Sequence, residues 1–394
     1  MTPQEVARFR AETRGTQHVL HFNNAGSSLT PDCVHDAVVG HLAREREIGG
    51  YEAKAEASAA IDSFYAEAAA LIGAAPDEIA YVENATRAWD MAFYSLPLGA
   101  GDVILTAAAE YSSNYLAYLQ IAKRKGVVVR VVPDDASGQT DVAALRRMID
   151  GRTKLISITH IPTHGGLVNP AAAIGEVARA HGIPYLLDAC QSVGQLQVDV
   201  NAIGCDMLSA TGRKFLRGPR GTGFLYVRRE LANRMDPVFV DLHSADWTAD
   251  DAYELAPGAR RFENWECYYA GKLGLAVAMR YARSIGMDRI EARVLALGAL
   301  LRRELSACPG VTLTDTGEMR CGIVTFVIAG LMATEVHAQL RRQAINVSVS
   351  SGERARFDLL RRGYRDVVRA SVHYYNTEDE ILRFGAAIRA LNGD

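Results

Sequence analysis

The stretch PYLLDACQS, residues 184–192, decides the fold. Its apolar run, Tyr185-Leu186-Leu187, does not alternate with polar residues and stops at a carboxylate, Asp188. A strand that is apolar on both faces is covered on both faces, as in parallel sheets. Runs of the same kind recur around it: DVILTA (102–107), VVVRVV (127–132), KLISITH (154–160) and GFLYV (223–227). Helical patterns lie between them at about 112–125, 140–150 and 170–181. Strands alternating with helices predict an α/β domain built on a parallel sheet, whose ligands sit at the carboxyl ends of the strands.

Farther along, two long helical patterns cover about 266–285 and 287–307. GIVTFVIAG (322–330), INVSVS (345–350) and VVRASVH (367–373) read as strands, and TEDE (377–380) as a capping box opening a last helix. These predict a smaller α/β domain with an antiparallel sheet. A chain of 394 residues has room for both domains.

Composition narrows the function classes. Apolar residues make up 49% and charged residues 23%, and the net charge is −3 without a block of like charges. That argues against a nucleic-acid groove or a membrane surface. The first twenty residues mix Glu5, Arg8, Arg10, Glu12 and Arg14 with no apolar run, so no signal peptide is expected. No stretch approaches the roughly 20 apolar residues that span a bilayer. Six cysteines, at 33, 190, 205, 267, 308 and 321, show no C-x-x-C pairing. Scattered thiols without an export signal predict a reduced, cytoplasmic protein.

Four segments carry candidate chemistry. Asp188, at the end of its strand, caps a turn or meets a cation such as a protonated pyridine nitrogen. In SATGRKFLRGPRGTG (209–223), Lys214 follows Arg213 and precedes a glycine-rich turn. Adjacent positive charge favours a neutral, nucleophilic lysine, and a guanidinium suits a phosphate. The same stretch is also compatible with a basic hairpin turn. In YVENATRAWDMAFYSL (81–96), Asn84, Ala85 and Thr86 open a helix, as a simple cap or as an anion site. In AEYSSNYL (109–116), Tyr111 is a core tyrosine or lies flat on an aromatic ligand.

Taken in this order, the segments resemble the class V aminotransferase family of fold-type I pyridoxal-phosphate enzymes. HFNNAGSSLTP (21–31) and RASVHYYNTEDEI (369–381) resemble its two ends. The resemblance implies a large cofactor-binding domain over 21–260 with a mainly parallel seven-stranded sheet. It implies a connecting helix and a small domain over 261–394, with 1–20 packed on the small domain. Lys214 would bond the aldehyde of pyridoxal 5'-phosphate, Asp188 would hold the pyridine nitrogen, and Gln191 would approach the ring hydroxyl. Tyr111 stands where desulfurases stack a histidine on the ring. Ala85, Thr86, Thr211 and Arg213 would hold the phosphate, Arg213 in place of a family histidine. Arg369 would clamp the substrate carboxylate, with Asn24, Thr163 and His164 as further substrate contacts. RFENWE (261–266) resembles a loop that crosses to a neighbouring subunit's cofactor, which makes Asn264 and Glu266 candidates in trans and implies a homodimer.

Departures from the family narrow the reaction. Desulfurases carry a catalytic cysteine on a loop near INVSVSSGERARF (345–357); this chain has Ser348, Ser350 and Ser351 there. Without that thiolate a persulfide has no acceptor. Tyr111, TGRK and GPRGTG are closer to the isopenicillin N epimerase-like and ergothioneine C–S lyase branch. The expected reaction is therefore C–S β-elimination from a cysteine conjugate or sulfoxide, through a carbanion at Cα. Epimerase and aminotransferase outcomes use the same carbanion, and a desulfurase ranks lower. Cys190 reads as structural. His160 and His164 have an H-x-x-x-H spacing, but Pro162 and Gly165 break the helix that a zinc pair needs, so no metal is expected. A cofactor-free scaffold is disfavoured by Lys214, Asp188 and Arg369. A nucleotide-binding dehydrogenase is disfavoured because no strand precedes a G-x-G-x-x-G.

Overall fold

In the computed structural model, which describes residues 1–391, the segment 79–227 forms a seven-stranded sheet. Its strands are β1 (Ile79–Val82), β2 (Val103–Thr106), β3 (Val128–Val131), β4 (Thr153–Thr159), β5 (Tyr185–Asp188), β6 (Met207–Thr211) and β7 (Gly223–Val227). They lie in the order β1-β7-β6-β5-β4-β2-β3. Strands β2 to β6 pair parallel, whereas β7 is antiparallel to both β6 and β1. GFLYV is thus the antiparallel exception in the mainly parallel sheet that the resemblance implies. Two strands, IAYV and MLSAT, were not foreseen. IAYV is only four residues long, and MLSAT carries Ser209 and Thr211 among its apolar residues.

Unbroken apolar strands have the predicted cause. Leu187 and Tyr185 join one buried cluster and Leu186 the other, so successive side chains enter cores on opposite faces. One face is covered by the helices Ser58–Ile72, Ala171–Ala180 and Tyr269–Ile285, the other by Ala85–Tyr94 and Ser112–Lys125. The parallel strands and β1 end at the same edge. That edge receives Asn84, Glu110, His160, Asp188 and Gly212, at the strand ends or within four residues beyond them.

A second sheet has the order β8 (Val311–Leu313), β9 (Ile323–Ile328), β11 (Asp366–Ser371), β10 (Ser348–Ser351), antiparallel throughout. Its own buried cluster includes Phe22, Val324, Phe326, Val368 and Phe384. The predicted capping box is present: Glu380 N–H donates to Thr377 Oγ1 (3.1 Å) and Thr377 N–H to Glu380 Oε2 (3.2 Å). No helix among the described residues is long and apolar enough to cross a membrane.

Candidate active site

Five strand ends converge on one cavity of about 160 Å³. Lys214 and Arg213 enter it from the turn after β6, Asp188, Cys190 and Gln191 from β5, and Thr163 from the loop after β4. Tyr111 enters from the loop after β2, and Asn84, Ala85 and Thr86 from the helix start after β1. The sequence-predicted residues of these five segments are therefore neighbours, apart from Thr211, which stands just behind the wall. Its hydroxyl donates to the Thr222 carbonyl (3.3 Å) and accepts from Arg213 (3.3 Å).

Two glycines allow the convergence. Gly194, at φ +97°, sits in the turn after Asp188, and a Cβ there would lie 2.4 Å from the backbone carbon of Phe215. The Asp188 turn and the Lys214 turn thus touch backbone to backbone. Gly223 opens β7; a Cβ there would lie 2.6 Å from the Ala210 oxygen and 3.1 Å from the Asn84 carbonyl carbon. That close approach seats the Asn84–Thr86 helix start against β6 and β7. Farther along the turn, Arg217 takes φ 60° and is buried. It donates to the Leu29 carbonyl (2.9 Å), Thr13 Oγ1 (2.6 Å) and the Tyr374 hydroxyl. These bonds anchor the Lys214 turn to both chain ends, and the strain of that backbone is offset by them.

Burial sets the protonation of the central groups. It lowers the proton affinity of Lys214, and Arg213 lowers it further. It raises the Asp188 carboxyl, against the pull of the Cys190 N–H, Asn114 and Lys214. Asp188 accepts from the Cys190 N–H (2.9 Å) and Asn114 Nδ2 (3.0 Å). Cys190, read as structural from the sequence, lines the cavity beside Lys214; burial raises its thiol pKa.

Arg369, on β11, brings the second sheet to the cavity mouth. Its guanidinium donates to the Thr163 carbonyl (2.7 Å) and hydroxyl (2.8 Å) and to Asn23 Oδ1 (3.2 Å). Burial, then repulsion from Arg213, lowers its pKa to about 10. Gln191 Nε2 donates to Thr163 Oγ1 (2.9 Å) and the Ala25 carbonyl (3.1 Å). An outer cavity of about 760 Å³ continues past Tyr111 and Thr163 to His164, Ser350, Ser351, Arg354 and Arg365. His164 Nε2 lies 3.0 Å from Asp358 Oδ2.

Three further predicted residues line neither the inner nor the outer cavity. Asn24 is fully buried and spends its amide on the Ser371 carbonyl (2.7 Å) and the Tyr375 hydroxyl. The side chain that faces Arg369 is its neighbour, Asn23, so the substrate contact assigned to Asn24 is corrected. Asn264 and Glu266 line a different cavity, with Glu263 and Lys272, and within one chain do not reach Lys214.

Sequence reasoning missed Glu110, Asn114, Arg217 and Asn23. Glu110 and Asn114 stand four apart at the start of a helix, a spacing that places two side chains together. The signal lay inside AEYSSNYL.

The donor set fits a phosphorylated, aromatic aldehyde. Gln191 Oε1 and Arg369 Nε are buried without a hydrogen-bond partner. The helix Ala85–Tyr94 presents its N-terminus to the cavity, where its N–H groups and dipole suit a phosphate. Arg213 adds a cation, Asp188 an anion and Lys214 an amine.

Comparison with known proteins agrees with this geometry. A family model described as aminotransferase class-V matches residues 20–384. A probable cysteine desulfurase of Methanothermobacter thermautotrophicus is 30% identical over 349 residues, covering 88% of this chain and 87% of its own. One of Xylella fastidiosa is 32% identical over 377 residues, covering 94% and 90%. Among solved structures, apo cysteine desulfurase from Thermococcus onnurineus NA1 superposes with a TM-score of 0.91 at 26% identity, over 99% of this chain and 98% of that one. The cystine C–S lyase C-DES, solved with its product cysteine persulfide, shares the fold: TM-score 0.87, 24% identity, over 96% and 99%.

Proposed function

The chain belongs to the aminotransferase class-V family of pyridoxal-phosphate-dependent enzymes, and from that premise we propose that it cleaves the C–S bond of a cysteine S-conjugate by β-elimination. The cofactor, when bound, supplies an aldehyde that bonds amines and a cationic ring that withdraws electrons from Cα. The chain's own residues do the rest. The helix start at Ala85–Thr86 and Arg213 would hold the phosphate, with the Thr211 hydroxyl orienting Arg213 from behind the wall. Asp188 keeps the ring nitrogen protonated, and Gln191 meets the ring hydroxyl. Tyr111 packs on the ring.

Arg369 binds the α-carboxylate and so orients the amino acid over Lys214. Lys214 Nζ, its proton affinity lowered by burial, takes the proton from Cα. The Cα–H electron pair becomes the Cα–Cβ double bond, and the Cβ–S bond breaks with its pair on sulfur. Protonation of sulfur gives a thiol, and one water converts the remaining fragment to pyruvate and ammonia.

The observation that favours elimination over sulfur transfer is the composition of the mouth. Ser350 and Ser351 line the outer cavity, and no cysteine does. A second reading, cysteine desulfurase, is favoured by the names of the similar curated proteins. It requires a thiolate that accepts sulfur, and Cys190, with its raised thiol pKa, is the one cysteine lining the inner cavity. Product analysis separates the two. Elimination yields pyruvate and ammonia from S-alkylcysteines and their sulfoxides; desulfuration yields alanine and sulfide from cysteine with a reductant. Alanine without pyruvate would sink the lyase reading. Uptake of solvent deuterium at Cα without either product would favour the epimerase outcome. Consumption of a keto acid would favour the aminotransferase.

A second copy of the chain completes this scheme. Asn264 and Glu266 lie on a surface that exposes Trp265, Trp247 and Leu242. A homodimer would cover this surface and deliver the loop to the neighbouring cofactor.

A further inference from the structure

Behind Asp188 stands a second carboxyl group. Glu110 follows β2 and is 5% exposed. Its Oε1 accepts from the Tyr111 N–H (2.8 Å), Asn114 Nδ2 (2.9 Å) and the Thr159 hydroxyl. Its Oε2 accepts from Thr106 Oγ1 (3.0 Å). The same Asn114 nitrogen donates to Asp188 Oδ2 (3.0 Å). One amide group therefore spends its two hydrogens on two carboxyls, and the register sets them close: Thr159 pairs with Asp188 across β4 and β5.

We propose that Glu110 is a positioning residue for the cofactor: through Asn114 it fixes the Asp188 carboxylate, and its own charge strengthens the hold of that carboxylate on the ring nitrogen's proton. The inference rests on the assignment of Asp188 to the pyridine nitrogen.

The chemistry follows from what surrounds Glu110. No cation pairs with it among the described residues. The titratable groups facing it are Asp188 and Tyr185 from β5 and Tyr118 from the helix Ser112–Lys125. Burial first, and then the like charge of Asp188, push the Glu110 carboxyl up to about 7, against its hydrogen bonds. A neutral Glu110 leaves Asp188 as the sole anion; an ionised Glu110 adds a second. By reciprocity, a cation held on Asp188 lowers the proton affinity of Glu110. Binding of the cofactor and ionisation of Glu110 should thus be coupled.

The test compares wild type, Glu110→Gln, Asn114→Ala and Asp188→Asn. Glutamine can keep its carbonyl on the three donors and turn its amide nitrogen to Thr106, so it retains the shape and removes the charge. The first readout is the ring-nitrogen chemical shift of isotope-labelled pyridoxal phosphate against pH. The second is the affinity of the apoprotein for the cofactor. Wild type should show a step in the ring-nitrogen shift in the neutral range, and E110Q should lose it. Cofactor affinity above that step should fall about 5- to 150-fold in E110Q. N114A, which keeps Glu110 and cuts the bridge, should move the midpoint, and it decides the matter should E110Q not fold. A step with unchanged midpoint in either folded variant overturns the proposal. If D188N leaves the ring-nitrogen shift unmoved, the assignment of Asp188 itself has failed. If only D188N moves it, Glu110 alone is wrong.

Discussion

Arg369 holds Thr163 at two points with one guanidinium nitrogen: the carbonyl oxygen at 2.7 Å and the hydroxyl at 2.8 Å. Thr163 belongs to the loop after β4, and Arg369 to the second sheet. The two sheets therefore meet at Arg369, the proposed clamp for the substrate carboxylate. A shift of one against the other moves the clamp relative to Lys214.

Arg369→Lys should keep the charge and lose the fork. Charge-assisted hydrogen bonds are worth roughly 1.5–3 kcal/mol each. Substrate KM should rise about 10- to 100-fold, with a smaller change in kcat. Steady-state kinetics check this, and an unchanged KM would remove Arg369 from substrate binding.

Gly194→Ala should loosen the join between the Asp188 turn and the Lys214 turn. A side chain at φ +97° is strained, and its Cβ would lie 2.4 Å from Phe215 backbone, where no side chain can swing aside. A loss of at least about 2 kcal/mol is expected, with weaker cofactor retention. Denaturant unfolding and the cofactor absorbance of the dialysed protein measure the two effects.

How far the sequence reaches is clear from these residues. Asp188 was legible because it ends an apolar strand, and such strands aim their carboxyl ends at one edge; Lys214 was legible from Arg213 and the glycine-rich turn after it, and the Asn84–Thr86 helix start from its capping residues. The antiparallel direction of β7 was not legible, since GFLYV is buried on both faces as a parallel strand would be. Asn24 and Asn23 are alike in composition and adjacent; only the pairing of this segment with β11 turns one toward Arg369 and the other into the core. Arg217 reads as one more arginine of a basic turn, and its burial depends on Thr13 and Tyr374, far away in the chain.

Substrates with a zwitterionic tail should be preferred over plain S-alkyl ones. The outer cavity carries Arg354 and Arg365 together with Glu353 and Asp366. None of these four side chains makes an ion pair or hydrogen bond within the described residues. Both signs are thus offered beyond the sulfur. Exposed pairs contribute only about 0.2–1 kcal/mol each, so kcat/KM should favour a second amino-acid head group a few-fold. The preference should fall in Arg354→Ala with Arg365→Ala, while S-methylcysteine turnover stays unchanged.

Glu110 also predicts how the stability of the apoprotein depends on pH. Its carboxyl pKa is raised to about 7 from an ordinary value of 4.5. Between these values the folded state holds a proton that the unfolded chain has released. The stabilisation is therefore complete below pH 4.5, falls as pH rises toward 7, and is gone above it. Each tenfold difference in proton affinity is worth about 1.4 kcal/mol, so the contribution amounts to a few kcal/mol over that window. Glu110→Gln carries no titratable proton and should flatten this segment of the curve. Urea unfolding of both apoproteins at several pH values gives the difference directly. Parallel curves through the window would mean that Glu110 ionises in the folded protein as it does in water.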